Sequence, residues 1–204
     1  MGAVPDADLL DRLADALRAG LPVVIPTDTV YGVAALPGVP GATSRLFALK
    51  DRGSDTPLAV LVADAAAARA LVTPLPDPVV RLTERLWPGP LTLVLPRAED
   101  ISWWDLGGDA RTVGVRCPSH PLVRALAERV GPIATTSANR HGQPTPTTAA
   151  EAAASLAGPV AVVVDGGPLA GVASTVVDAT RPDWRVLRHG ALSLSDLEAV
   201  ADAD

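Results

Sequence analysis

Sulfur, lysine and aromatic rings are scarce in this chain of 204 residues. It has one cysteine (Cys117), one methionine, one lysine (Lys50), one tyrosine (Tyr31) and one phenylalanine. A single cysteine excludes a disulfide within the chain and a cysteine-built zinc site. The histidines, His120, His141 and His189, stand too far apart to show metal-ligand spacing. No apolar run approaches the ~18 residues of a membrane-spanning helix. Met1 to Asp6 has neither a basic stretch nor an apolar one, so no secretory leader is expected and the cytoplasm is the expected compartment. A surplus of positive charge is also missing. The net charge of -6 argues against a protein that grips nucleic acid mainly by displacing counterions from phosphates.

What is present points to a folded, loop-rich domain. Hydrophobic residues make up 48% of the chain, enough for a sizeable core and too many for disorder. Twenty prolines and 17 glycines predict many short connections. Of the 17 basic residues, all but Lys50 are arginine. Genomic base composition can account for that bias, and it makes the single surviving lysine informative, since where arginine would serve this chain uses it.

Periodicity predicts a helix over 6–19, with Leu9, Leu10, Leu13 and Leu17 on one face, Asp6 as cap and Gly20 as stop. Further helices are expected at about 43–50, 64–72, 77–86, 119–130 (after Ser119 as cap), 148–157 and from Ser193. Short apolar runs predict strands at 23–25, 58–62, 91–95, 112–116, 133–136, 160–164, 174–178 and 185–188. The order is not a strict alternation, so a mixed sheet in α/β layers is expected, in one domain over 1–204. Residues 97–111, polar and carrying Trp103 and Trp104, read as a candidate mobile lid.

Several polar clusters sit at the ends of these strands, where open α/β sheets bind ligands. Pro26-Thr27-Asp28-Thr29-Val30-Tyr31-Gly32 carries three hydroxyl side chains and a carboxylate, and can equally be an ordinary polar turn. Lys50-Asp51-Arg52 ends a helix, where cations are favourable in themselves, or forms a clamp for phosphate or carboxylate. Alternation puts Thr112, Gly114 and Arg116 on one strand face. An arginine among apolar neighbours needs an anionic partner, which a structural acid or a substrate carboxylate could supply. Cys117 reads as a packing residue, since no base stands near it in sequence. Thr135-Thr136-Ser137-Ala138-Asn139, Ser174-Thr175-Val176-Val177-Asp178 and Arg188-His189-Gly190 complete the set. No P-loop, dinucleotide-binding glycine motif or nucleophile elbow is present.

Taken in order, Pro-Thr-Asp-Thr-Val-Tyr-Gly at 26–32, Lys-Asp-Arg at 50–52, Trp-Pro-Gly-Pro-Leu-Thr at 87–92, Val-Arg-Cys-Pro at 115–118, Thr-Ser-Ala-Asn at 136–139 and Ser-Thr-Val-Val-Asp at 174–178 resemble the TsaC/YrdC family of L-threonylcarbamoyladenylate synthases. The match runs over about residues 8 to 195. The resemblance implies a three-layer YrdC-like fold with a twisted mixed sheet around a positively lined central cleft. It implies a reaction in which L-threonine and bicarbonate form N-carboxythreonine, which attacks the α-phosphate of ATP, giving threonylcarbamoyladenylate and pyrophosphate. That product feeds the t6A modification of tRNA adenosine 37 through separate transferase proteins.

Carried over position by position, Thr29, Arg116, Thr135 and Ser174 are expected at threonine. Arg52, Thr56, Thr112, Ser137, Asn139, Thr145 and Arg188 are expected at ATP. Lys50 and Arg52 are the expected catalytic cations, acting by placement and electrostatics, with Lys50 near the surface of the cleft. Mg²⁺ is expected to travel with the triphosphate, held mostly by phosphates and water. The chain departs from the family pattern at Thr56, where relatives often carry Lys or Asn, and at Leu61, where some carry His. Two other readings stand beside this one: a carbamoyl-adenylating domain of the hydrogenase-maturation type, and an RNA-binding or ribosome-assembly factor.

Overall fold

Helix-capping signals act where they stand in the sequence. The computed structural model describes residues 6–51, 53–181 and 183–201. In it Asp6 accepts a hydrogen bond from the Asp8 amide and starts α1 (Ala7–Arg18), whose buried face is Leu13, Ala14 and Leu17. Asp64 caps α3 (Ala65–Arg69) in the same way, through the Ala67 amide. A reciprocal pair, Thr148 with Glu151, opens α6 (Ala149–Ser155). The other helices are α2 (Ala42–Leu49), α4 (Asp77–Leu86), α5 (Pro121–Val130) and α7 (Leu194–Ala201). The start of α5 differs from expectation. His120, not Ser119, precedes it, with no side-chain cap, and Pro121 takes the first turn, where its missing N–H costs nothing.

Among the described residues nine strands form one sheet: β1 (Val23–Pro26), β2 (Tyr31–Ala35), β3 (Ala59–Leu61), β4 (Leu91–Pro96), β5 (Thr112–Arg116), β6 (Ile133–Ser137), β7 (Val162–Val163), β8 (Thr175–Asp178) and β9 (Arg185–Arg188). Their order is β7-β1-β2-β6-β3-β5-β4-β8-β9. The pairs β1/β7, β3/β5 and β4/β8 are parallel and the rest antiparallel, so the sheet is mixed, as expected.

The strand the sequence reading did not anticipate is β2. Its Tyr-Gly-Val-Ala-Ala is poor in β-branched residues, and it is buried along its whole length, so no apolar–polar alternation announces it. Pairing with β1 makes it a strand. The intervening turn, residues 27–30, is closed by the Thr27 amide donating to the Val30 carbonyl at 3.2 Å.

The two faces of the sheet are covered unequally. Val24, Val33, Val60, Leu93, Val115 and Val177 lie on a face packed beneath α2, α3, α4, α6 and α7. Ile25, Ala34, Leu61 and Ile133 lie on the other, beneath α1 and α5. Those two helices reach only part of it. Alternation along each strand then aims Gly32, Thr135, Ala59, Gly114, Arg116, Thr92 and Val176 at the remainder, which is open. Helices, sheet and helices make three layers, and the uncovered part of the second face is the floor of the cleft. No helix among the described residues is long and apolar enough to cross a membrane.

Candidate active site

The open part of the sheet floors a cavity of about 370 Å³, within the range of small-molecule sites. Its floor is low because small residues stand there. A Cβ on Gly32 would lie 2.8 Å from the Thr135 hydroxyl oxygen, so the backbone of β2 and that hydroxyl approach each other only because the residue is glycine.

Nine of the expected site residues line this one cavity: Thr29, Thr56, Thr112, Arg116, Thr135, Ser137, Thr145, Ser174 and Arg188. They come from strands β5, β6 and β9, from the β1–β2 turn and from loops far apart in sequence. The residues the sequence reading missed are Thr27 and Thr92, both buried hydroxyl side chains on the cavity wall. Each sits inside a motif that had been singled out, and Thr92 alternates with the core residues Leu91 and Leu93, which was a readable signal.

Arg116 is the organising cation. Its guanidinium donates to Asp28 Oδ1 at 2.6 Å, to Thr29 Oγ1 at 2.8 Å and to the Gly89 carbonyl at 3.1 Å. The structural acid therefore exists, and it is Asp28. Both side chains are nearly buried, and the second Asp28 oxygen has no hydrogen-bond partner among the described residues. The pair ties the β1–β2 turn to β5 across the ends of the strands between them, and leaves Arg116 still facing the cavity. Burial lowers the Arg116 pKa, against the pull of Asp28, yet an arginine stays charged at neutral pH.

Arg188 holds the far side. It donates to the Ser174 carbonyl at 3.0 Å and to Ser174 Oγ at 3.0 Å, and Ser174 Oγ lies 2.8 Å from Thr92 Oγ1. Burial and repulsion from Arg116 both lower the Arg188 pKa, which places the two guanidiniums within reach of one another's field. Among the described residues lining the cavity, these two arginines are the charged ones. A cavity of two cations, many hydroxyls and apolar patches is complementary to an anionic, oxygen-rich ligand.

Lys50 is placed otherwise than expected. It is 2% exposed and is not among the residues lining the cavity. Its ammonium donates to the Ser137 carbonyl at 2.5 Å, to the Asn139 carbonyl and to Asn139 Oδ1 at 3.3 Å. Asn139 turns its amide NH₂ to the Arg140 and Gln143 carbonyls and also stands back from the cavity. The cation thus fastens the end of α2 to the segment after β6, below Ser137. Only the non-local packing of these elements buries it, so helix-end position alone could not reveal it. Arg52 lies outside the described residues.

Cys117 is buried, donates to the Ala63 carbonyl and has its thiol pKa pushed up by burial, in keeping with a packing role. Residues 97–111 are tied down rather than loose. Gly108 donates to the Ser54 carbonyl at 2.7 Å, and the Arg97 guanidinium reaches the Ile101 and Trp104 carbonyls. Leu106 and Gly107 form part of the cavity wall. No group of three or more His, Cys, Asp or Glu among the described residues could hold a metal ion.

The Sua5/YciO/YrdC family, described as telomere recombination, matches residues 15–190. A putative threonylcarbamoyl-AMP synthase of Mycobacterium tuberculosis is 42% identical over 93% of this chain and 87% of its own length. The threonylcarbamoyl-AMP synthase of Bacillus subtilis is 40% identical over 93% of this chain, which spans only 55% of that longer protein. Among solved structures, P. abyssi Sua5 complexed with L-threonine superposes with a TM-score of 0.85 at 37% identity, covering 94% of this chain and 56% of that one. Sequence and overall superposition therefore agree, and the chain belongs to the Sua5/YciO/YrdC family.

Proposed function

We infer that this protein is a threonylcarbamoyl-AMP synthase, an ATP-dependent nucleotidyltransferase that condenses L-threonine, bicarbonate and ATP. The observation that carries the reading is the convergence of Arg116, Arg188 and a ring of hydroxyl side chains on one cavity. Arg116, already oriented by Asp28 and Thr29, is suited to clamp the amino acid carboxylate, with Thr29, Thr135 and Ser174 beside it. Arg188, Thr56, Thr112, Ser137 and Thr145 are left to receive the nucleotide. Lys50 and Asn139 support this wall from beneath, and Arg52 is proposed to complete the cationic side. Among the described residues the cavity offers no nucleophile with a partner base, so the chemistry is placement of N-carboxythreonine in line with the α-phosphate and stabilisation of the charge that develops there.

Mg²⁺ fits this scheme as a companion of the nucleotide. Among the described residues the cavity wall has hydroxyls and arginines but no carboxylate, so phosphate oxygens and water would supply its ligands. As parts of the same proposal, the protein is a single YrdC-like domain of the cytoplasm, and its product passes to the transferase proteins that act on tRNA.

Threonine- and bicarbonate-dependent release of pyrophosphate from ATP tests the reading. Arg116→Ala is expected to raise the threonine KM by about 10- to 100-fold, the size of a lost hydrogen bond to a charged group. An effect confined to ATP would misassign the clamp. Pyrophosphate release driven by carbamoyl phosphate, or salt-sensitive tRNA binding without threonine-dependent turnover, would replace the reading.

A further inference from the structure

Between β7 and β8 the chain makes its longest sideways move. β7 is the first strand of the sheet in order and β8 the eighth, and residues 164–174 join them as a strap without helix or strand. The far end of the strap is cavity wall, since Ala173 and Ser174 line the site. Its near end is held by Tyr31, the only tyrosine, whose side chain is fully buried. The Tyr31 hydroxyl donates to the Gly167 carbonyl at 2.7 Å and accepts from the Gly166 amide at 3.0 Å. A Cβ on Gly166 would lie 2.7 Å from Pro26 Cβ, so the strap lies directly against the β1–β2 hairpin there.

The middle of the strap meets the loop that carries Thr145. The Leu169 amide donates to the Thr147 carbonyl at 2.8 Å. The amide and hydroxyl of Thr147 both donate to Glu151 Oε2, which fixes its other side to α6. Thr145, a cavity residue, stands just before it, between Pro144 and Pro146. Pro146 has a locked φ, and it also narrows the backbone choices of Thr145. A stiff link of this kind passes a displacement on instead of absorbing it. The path from the Tyr31 hydroxyl to Thr145 thus runs through the strap, the Leu169–Thr147 bond and a stiff Thr-Pro step. Ser174, at the far end, is held independently by Thr92 and Arg188.

We propose that Tyr31 is a positioning residue for the nucleotide, holding Thr145 in place through the strap of residues 164–174. Tyr31 is not among the residues lining the cavity, so it acts without touching a ligand. A tethered strap presents Thr145 in one arrangement before ATP arrives, and the entropy of ordering that wall is lost on folding instead of on binding. The threonine side is expected to be insensitive, because Arg116 and Ser174 have supports of their own. The proposal rests on the synthase reading, which puts the nucleotide at Thr145, and adds how that wall is held.

The test measures binding directly, by calorimetry of the full chain with ATP and Mg²⁺ and separately with L-threonine. Tyr31→Phe keeps the ring and removes only the hydroxyl. It is expected to weaken ATP about fivefold, within the worth of the hydrogen bonds lost, and to leave threonine within about twofold. Thr145→Ala is expected to weaken ATP by a similar factor. Because Tyr31 acts through Thr145, adding Tyr31→Phe to Thr145→Ala is expected to weaken ATP by less than about twofold more. A double variant showing the product of the two single effects overturns the proposal, as does equal weakening of ATP and threonine. A merely structural role predicts lower thermal stability with ATP affinity intact, and that outcome overturns it too. If Tyr31→Phe does not fold, Gly166→Ala decides, since it pushes the strap off Pro26 and leaves the hydroxyl in place. ATP affinity equal to that of the wild type then overturns the proposal. Pyrophosphate release is scored separately. A wild type that binds ATP but releases none with threonine and bicarbonate overturns the synthase reading and leaves the strap in place, and one that binds no ATP overturns both.

Discussion

Replacing Lys50 with methionine keeps most of the side-chain volume and removes every donor. The structure gives the size of the loss. Among the partners the described residues supply, the Ser137 and Asn139 carbonyls and Asn139 Oδ1 would lose a buried ammonium. Hydrogen bonds to a charged donor are each worth about 1.5–3 kcal/mol, and a buried acceptor left unpaired costs about 1–3 kcal/mol. Returning the lysine charge to water in the wild-type unfolded state offsets part of this, so the net loss resembles breaking a buried ion pair, ~3–5 kcal/mol. That is a large share of the ~5–15 kcal/mol that holds a domain together. For a chain of this length ~1 kcal/mol moves Tm by roughly 2–4 °C, so Lys50→Met should melt roughly 6–20 °C lower. Thermal unfolding by circular dichroism, with urea midpoints as a second probe, measures it. A variant that melts with the wild type yet releases no pyrophosphate would refute the reasoning. It would mean that the ammonium acts on substrate and contributes nothing to the attachment of α2 to the segment after β6.

Two further predictions concern the floor of the cavity and its margin. Gly32→Ala places a methyl 2.8 Å from Thr135 Oγ1 and must displace that hydroxyl. The threonine KM should rise about tenfold, as for one lost hydrogen bond, with the ATP KM little changed; equal effects on both would show that the whole cleft had shifted. Burial holds the His120 imidazole below its ordinary pKa, outweighing the field of Asp28. The unfolded chain therefore binds this proton more readily than the folded one, and stability should fall as pH drops below about 6.5. His120→Gln should lose less Tm than the wild type between about pH 7.5 and 5.5, and an equal or larger loss refutes the assignment.

Much of this architecture was legible in the sequence, because burial writes itself into local pattern. The apolar runs of β3, β4, β5, β6 and β8, and the capped helices α1 and α6, follow from period and capping chemistry within a dozen residues. The alternation of β5 put Thr112, Gly114 and Arg116 on one face, and the cavity lies on that face. β2 escaped because its Gly and Ala residues carry little local preference, and its strand form comes from partners on both sides, β1 and β6.

Chemistry and position divide along the same line. The sequence by itself determined which residue types gather at strand ends, and that the cations among them would seek anions. Only the tertiary structure decided who meets whom. Asp28 and Arg116 are 88 residues apart and Lys50 and Asn139 are 89 apart, and no local period spans such distances. The lone lysine was conspicuous as the one ammonium among arginines. Its compactness is used to fit a buried nest of carbonyl oxygens, where a planar guanidinium would demand a different shape. Sequence pattern reports which side of an element is buried. Which oxygen completes a buried cation depends on how distant elements are brought together, and that is settled only when the sheet closes.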